Sequence, residues 1–461
     1  MMDPAVVARF AVPVPPGPAA ELIEMKNLED PFAVPQAAVA ALQMKAAQEL
    51  FEAKRAAIPV LDRRARETGV TRIESAEDIV PLLLSHTAYK SYPEALLTNG
   101  KWAQLAKWLS IVSSADYSHV DVDDAVDIDD FLDRMWAAGF KITTSSGTGG
   151  KLSLLPKSEF DIALYREFQL RTRGWPEPIE PRNQFRVFIF GPTKGTYTAA
   201  FAQGWLVEYF AKPGEAHVLI EEPMRNATLM RMAAMRKKLM DGTGTPGEIE
   251  AFRQEAAAQA ERLSNRLDEM IRLMIETRHE PQYIVGMAPQ MFEVVERARK
   301  LGFEGGDFHP DTVARAGGGK KHAKLPDDFA EQINRFFGVT KPSGVYGMTE
   351  LSWNMPQCEA GRYHSFPWMI PLVLDEEGER LVGPLEGEVT GRYACLDLAQ
   401  DLRWGGLISG DRVTIDYGCN CPCGRKSITF LPDITRYADL KGDDKIACSG
   451  TVDAYIRGEF V

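Results

Sequence analysis

The chain has 461 residues, 45% hydrophobic and 26% charged, with a formal net charge of −12. This is ordinary globular composition, with length for two or three domains or for one large domain with subdomains. The negative balance argues against a nucleic-acid partner, and Lys320-Lys321 is too short to overturn it.

No window approaches the roughly 18 apolar residues of a membrane span. The N-terminus carries Asp3 and lacks the apolar core of a signal peptide. A cytoplasmic location with no membrane span is therefore expected. Six cysteines in this length are no disulfide scaffold, so their spacing carries more than their number.

Residues 1–35 are rich in Pro and Ala and read as an arm lying on the surface, with little regular structure before Val34. Residues 36–67 read as one helix, with Ala40, Leu42, Ala46, Leu50, Phe51 and Ala53 near helical spacing. Residues 75–135 read as short helices with polar loops. The acidic run from Asp121 to Asp130 lacks the glycine and terminal glutamate of a calcium loop, and a solvated loop and helix start is expected there.

Between a helix around Phe131–Trp136 and a strand at 152–155 lies Thr143-Thr144-Ser145-Ser146-Gly147-Thr148-Gly149-Gly150-Lys151. Glycines let successive backbone N–H groups point at one anion, hydroxyls add donors, and the lysine adds a cation. The stretch reads as a Ser/Gly turn or as a phosphate-gripping loop. It is not the G-x-x-x-x-G-K-[ST] loop, because Ser145 stands where the first glycine belongs and Leu152 follows the lysine.

Farther on, Phe185–Phe190 reads as a buried strand running into a turn at 191–196, and His217–Ile220 as another strand. Residues 247–279 read as one long helix with an apolar stripe through Leu263, Leu267, Met270, Ile271, Met274 and Ile275. Core packing is its default role, with a homodimer contact as the alternative. Tyr283–Gly286 then reads as a strand and Pro289–Leu301 as a helix, an alternation that argues for α/β architecture. Two short segments follow. Gly317-Gly318-Gly319 precedes two lysines and would let a flat ring approach the backbone. Tyr346-Gly347-Met348-Thr349-Glu350 offers an aromatic, a hydroxyl and a carboxylate that could stack a base, touch a phosphate and hold Mg²⁺.

Ser145 to Lys151, Gly317 to Gly319, Tyr346 to Glu350 and Ser409-Gly410-Asp411 stand in the order and rough spacing of the adenylate-forming (acyl-activating) enzymes, and the chain resembles that superfamily over residues 80–450. Within it, the triple glycine followed by lysine, the Tyr-Gly-Met-Thr-Glu sequence, Cys358-x5-His364-x2-Pro367-Trp368 and Cys421-Pro422-Cys423-Gly424-Arg425 are similar to acyl-protein synthetases of bacterial bioluminescence and to phenylacetate–CoA ligases. Gly149 stands where those enzymes more often carry Thr or Ser. The resemblance implies an α/β fold, the large N-terminal domain of an adenylate-forming enzyme with mixed sheets flanked by helices, spanning residues 36–435. It implies that Ser145, Ser146, Gly147, Thr148, Gly149, Gly150 and Lys151 grip the outer phosphates of ATP, that Gly317, Gly318, Gly319, Tyr346 and Gly347 flank the adenine, that Thr349 touches the α-phosphate, that Glu350 holds Mg²⁺ and that Asp411 binds the ribose hydroxyls. Arg436 would be a second ribose or phosphate contact, although 436–441 and 441–446 both partly match the expected Arg-x-Asp-Asp hinge.

The implied activity is AMP-forming activation of a carboxylic acid, fatty or aryl, with transfer to a thiol or amine: CoA, a carrier protein or a protein cysteine. Relatives carry a mobile C-terminal domain of about a hundred residues. Here residues 436–461 are expected to be hinge and a truncated remnant, with that domain missing. The alternative is a non-catalytic or partner-dependent ATP- and acid-binding subunit; a phosphotransferase using the Ser/Gly loop is a third reading. Cys448 reads as a structural cysteine, or, by position, as an acyl acceptor. Finally, Cys358, His364, Cys421 and Cys423 supply four soft ligands suited to a structural Zn²⁺, with Cys419 the spare.

Overall fold

The computed structural model describes residues 2–145, 151–318, 324–339 and 344–441. Ser146 to Gly150, Gly319 and Cys448 lie outside the described residues.

Two sheets organise the chain. The first has four parallel strands in the spatial order Ala211–Ile220, Phe185–Pro192, Gln282–Met287, Val313–Gly317. Its central strands are near-continuous apolar runs because both faces are covered, as a parallel sheet requires. From Phe185–Pro192 the chain moves outward to Ala211–Ile220 through the Thr198–Phe210 helix. It then returns past its starting strand through the Pro246–Glu276 helix. Right-handed crossovers in opposite directions put these helices on opposite faces. Accordingly Leu206, Tyr209 and Phe210 pack with Val187 and Ile189 on one face. Leu267, Met270, Ile271 and Met274 pack with Phe188 and Ile284 on the other. The direction of winding reverses between Phe185–Pro192 and Gln282–Met287, and ligands of open α/β sheets bind beyond the strand ends at such a reversal.

The second sheet has seven strands and is mostly antiparallel. Its centre is the pair Glu388–Asp397 and Gly406–Asp416, paired from Glu388 opposite Asp416 to Leu396 opposite Gly406 with a shift of register between Arg392 and Ala394. The strand Gly406–Asp416 also pairs with Leu84–Ser85 near its start and with Thr435–Arg436 near Asp411. A separate hairpin, Lys141–Thr144 with Leu154–Lys157, holds the Ser/Gly stretch at its tip.

Two expectations need correction. The N-terminal segment does not lie loosely on the surface. It forms short helices at Pro4–Val7 and Ala20–Glu24, and Phe10, Leu22 and Phe32 are buried. Lys26 reaches the buried Glu167 at 2.5 Å, and the Phe32 carbonyl accepts from the backbone N–H groups of Lys426 and Ser427. Its prolines remove helix donors, but its apolar residues find partners far along the chain. The helix expected over 36–67 is two, Gln36–Arg55 and Pro59–Thr68. Ile58 is extended because the following proline disfavours a helical conformation there, and Pro59 then opens the second helix at a position where its missing N–H costs nothing. The long helix, by contrast, runs Pro246–Glu276 with Thr245 and Glu248 in a reciprocal cap. No described helix is long and apolar enough to cross a membrane.

Candidate functional site

The neck of the Ser/Gly hairpin is tied at the winding reversal. Thr144 N–H donates to the Thr196 carbonyl at 3.0 Å, and the two threonine hydroxyls lie 3.0 Å apart. Thr196 follows the carboxyl end of the Phe185–Pro192 strand. Across the neck, Ser145 Oγ accepts from the Ser153 N–H at 3.0 Å, so this hydroxyl braces the base of the hairpin. Lys151 closes the loop, and its ammonium donates to the Tyr92 carbonyl and lies 4.5 Å from the centre of the Tyr92 ring.

On the second sheet, Tyr346, Asp411 and Arg436 converge. The Tyr346 hydroxyl donates to Asp411 Oδ2 at 2.8 Å, and Arg436, directly across the ladder, brings Nε to 3.8 Å from Oδ1. Burial pushes the Tyr346 phenol well above its ordinary range, and the neighbouring Asp411 charge pushes the same way. Burial also raises the Asp411 carboxyl, against the pull of Tyr346, Arg436 and His86, while Glu350 adds a like charge. A carboxylate has about four acceptor positions, so Asp411 can serve further donors besides these two. Gly347 is required by a close approach, since a Cβ there would come within 2.1 Å of Asn354 Oδ1. Gly318 adopts φ +76°, where glycine is favoured, but Gly317 meets nothing nearer than 4.0 Å.

Thr349 and Glu350 sit in the turn after Met348, whose carbonyl accepts from Leu351 N–H. The turn is fixed from below. Arg403 Nη2 donates to the Glu350 carbonyl at 2.8 Å, Lys157 Nζ lies 3.3 Å from the Leu351 carbonyl, and Ser352 N–H donates to Asp397 at 2.9 Å. Burial lowers the Lys157 ammonium to about 8. The backbone of Glu350 is thus held while its side chain stays partly exposed.

Sequence reasoning missed the segment that connects these groups. Leu84–Ser85 pairs with Leu407–Ile408, His86 acts on Asp411, the Tyr89 ring lies under Arg403 and feels Glu350, and Tyr92 receives Lys151. One nine-residue stretch therefore touches the neighbourhoods of Asp411, Glu350 and Lys151. Its only signal was the spacing of His86, Tyr89 and Tyr92 after an apolar run.

A second cluster lies at the far edge of the same sheet. Cys358 and Cys421 place their sulfurs 3.7 Å apart, Cys423 Sγ lies 3.4 Å from His364 Nε2, and all four donor atoms fall within 4.8 Å of one another. A tetrahedral ion with metal–sulfur bonds of ~2.3 Å and metal–nitrogen bonds of ~2.0 Å needs edges of about 3.8 and 3.5 Å. The residues therefore fit a metal ion. His364 Nδ1 pairs with Ser427 Oγ at 2.8 Å, which leaves Nε2 for the cluster. Burial, with Arg425 and Arg362 nearby, lowers His364 to about 3, so the ring is in the neutral form that ligates. Burial raises Cys421 to about 12. Cys419 is outside this group, with its Sγ 3.5 Å from the Tyr417 carbonyl. Arg425 stacks over Trp175 and pairs with Asp30 at 2.6 Å, so the N-terminal segment straps the cysteine turn.

No protein-family model matches this chain, and no curated protein matches it by sequence. Among solved structures it is similar to 2-hydroxyisobutyryl-CoA ligase, captured in the postadenylation state in complex with R3-HIB-AMP. The two share 15% identity and a TM-score of 0.53, over 94% of this chain and 76% of that one. The fold is that of an adenylate-forming enzyme.

Proposed function

We propose that the protein is an ATP-dependent, AMP-forming acid ligase. It converts a carboxylic acid, fatty or aryl, to an acyl-adenylate and passes the acyl group to a thiol or amine, in the manner of the acyl-protein synthetase and phenylacetate–CoA ligase branch. The observation that carries this reading is the convergence of Tyr346, Asp411 and Arg436 beside Glu350, on a chain that shares its fold with an acyl-CoA ligase.

In this reading the acid's carboxylate attacks the α-phosphorus of ATP and pyrophosphate leaves. Charge gathers on phosphoryl oxygens in the transition state, and positioned cations and donors stabilise it. Lys151 and the Ser145–Gly150 backbone would follow the departing pyrophosphate. Thr349 would donate to the α-phosphate. Asp411 would accept from the ribose hydroxyls, with Arg436 beside it, while Gly317 to Gly319, Tyr346 and Gly347 would bound the adenine. Glu350, its backbone fixed by Arg403, would hold Mg²⁺, which supplies charge neutralisation on the phosphates when bound. We further propose that Cys358, His364, Cys421 and Cys423 hold a structural Zn²⁺ that pins the turn and takes no part in the reaction.

Exchange of labelled pyrophosphate into ATP, measured over a panel of acids, tests the reading. Acid-dependent exchange is expected, and its absence with every acid would overturn it.

A further inference from the structure

Several buried or half-buried cations in this protein are matched by carboxylates: Lys26 by Glu167, Arg362 by Asp416, Arg425 by Asp30. Lys54, Lys157 and Arg403 donate to backbone carbonyls instead. Arg173 and Arg315 differ in that two guanidinium groups lie beside each other. Arg173 is 7% exposed, and its guanidinium donates to the Tyr283 hydroxyl at 3.3 Å and to the Ala202 carbonyl at 2.7 Å, neither of which carries a charge. Its Nε is enclosed and has no hydrogen-bond partner. Arg315 approaches from the neighbouring strand. Tyr283 pairs with Val313 and Val285 with Arg315, so Tyr283 and Arg315 lie two positions apart on one face of the parallel sheet. The Arg315 Nε is likewise enclosed and unpartnered.

Neither guanidinium makes an ion pair among the described residues. Outside the described residues, 146–150, 319–323 and 340–343 contain no Asp or Glu, 320–322 is Lys-Lys-His, and 442–461 contains Asp443, Asp444, Asp453 and Glu459. Burying two like charges without a counter-charge is costly, and a bound oxyanion would supply one. The electrostatics agree with the geometry. Burial alone would raise the Tyr283 phenol, but Arg315 and Arg173 together pull it below its ordinary value. The site also has an opening: Arg315 is partly exposed, and its strand runs on into the exposed Ala316 and Gly317.

We propose that Arg173, Arg315 and Tyr283 form a subsite for a small oxyanion, either a second anionic group on the acid to be activated or a phosphate of the acceptor. Two guanidinium forks and a phenol suit a carboxylate or phosphate, which offers several acceptor atoms in a plane or tetrahedron. The assignment of the anion to a substrate rests on the ligase reading above; the existence of the subsite does not.

The experiment has a binding arm and a turnover arm, both on the full chain. In the first, calorimetry measures succinate and inorganic phosphate binding to the wild type, Arg315→Gln and Tyr283→Phe. Succinate or phosphate should bind, and Arg315→Gln should weaken binding by at least about tenfold, as loss of a charged hydrogen bond would. Tyr283→Phe keeps the ring's packing and should weaken it several-fold. Failure of both probes to bind the folded wild type at about 10 mM, or equal binding by Arg315→Gln, overturns the proposal. In the second arm, pyrophosphate exchange is compared for mono- and dicarboxylic acids of matched chain length, and thiol transfer is compared for CoA and phosphate-free pantetheine. A dicarboxylate preference in exchange that falls at least about tenfold in Arg315→Gln assigns the anion to the acid. The same dependence confined to CoA over pantetheine assigns it to the acceptor. Exchange and transfer with neither preference overturn the assignment of the anion to a substrate and leave the ligase reading intact. Arg315-dependent succinate binding without exchange for any acid keeps the subsite and overturns the ligase reading.

Discussion

The thiol–imidazole cluster and the Tyr346–Asp411 cluster sit on the same sheet and solve opposite problems. The first is compact: its four donors face one another at ligand spacing, its histidine is held by Ser427 and packed by Phe32 and Trp175, and of the four residues Cys423 is partly exposed. The second leaves polar groups half-exposed, with Asp411 held by Tyr346 and the Glu350 backbone held by Arg403 while the Glu350 side chain is left partly exposed. Read as a metal site, the first can be rigid. Read as a nucleotide site, the second has to keep donors and acceptors available.

The largest expected effect breaks the compact cluster. Cys358→Ser and Cys421→Ser should each reduce zinc, measured by mass spectrometry on protein purified without chelator, from one per chain to near zero. Stability should fall by roughly 4 kcal/mol or more, a part of the ~10–16 kcal/mol that structural zinc contributes in small domains. Cys419→Ser should keep its zinc. Wild-type protein free of zinc would remove the metal from this account, and the contrast between the regions with it.

The open cluster should respond in rate and leave the melting temperature largely alone. Lys151→Ala removes a cation from the loop at the sheet's winding reversal. Exchange should drop about 10²–10³-fold, the usual cost of losing one stabilising group at a developing charge. A drop of less than threefold would mean that Lys151 only braces Tyr92.

Gly347→Ala tests the packing of the same motif. Its Cβ would meet Asn354 Oδ1 at 2.1 Å, so roughly 1–3 kcal/mol of destabilisation is expected. The double variant with Asn354→Ala should recover much of it, in denaturant melts; no recovery would show that Gly347 is required for another reason.

How much of this was readable beforehand follows from where each signal lives. The strands Phe185–Pro192 and Gln282–Met287 announce themselves because a parallel strand buried on both faces is a run of apolar residues. Tyr346, Asp411 and the four metal-type ligands are readable as short local patterns, and the fold brings each set together. The N-terminal segment is not, because its partners are remote: Lys26 and Glu167 are 141 residues apart, Asp30 and Arg425 are 395. Composition says Pro-rich, and only tertiary packing says buried. The His86–Tyr92 connector failed for a similar reason, since its residues match no pattern and gain meaning only when Gly406–Asp416 runs alongside. Pro59 was a legible break that helical periodicity overrode.

The smallest effect separates stability from function at one residue. Burial raises the Asp411 carboxyl above its ordinary range. A carboxyl whose folded value lies above its unfolded one favours folding when protonated, and that contribution is lost as pH rises through the folded value. At neutral pH the charged Asp411 is therefore a net cost to the fold, which the proposed ribose contact would account for. Asp411→Asn should melt slightly higher than the wild type at pH 7, by a gain of about 1 kcal/mol or less. The gain should shrink as pH falls and vanish below about 3.9, where the carboxyl is protonated in both states. The same substitution should raise the KM for ATP by roughly 10- to 100-fold, through loss of a charged acceptor for the ribose. If Asp411→Asn melts lower at pH 7, the Tyr346 and Arg436 contacts outweigh desolvation, and the open cluster is as much a structural element as the compact one.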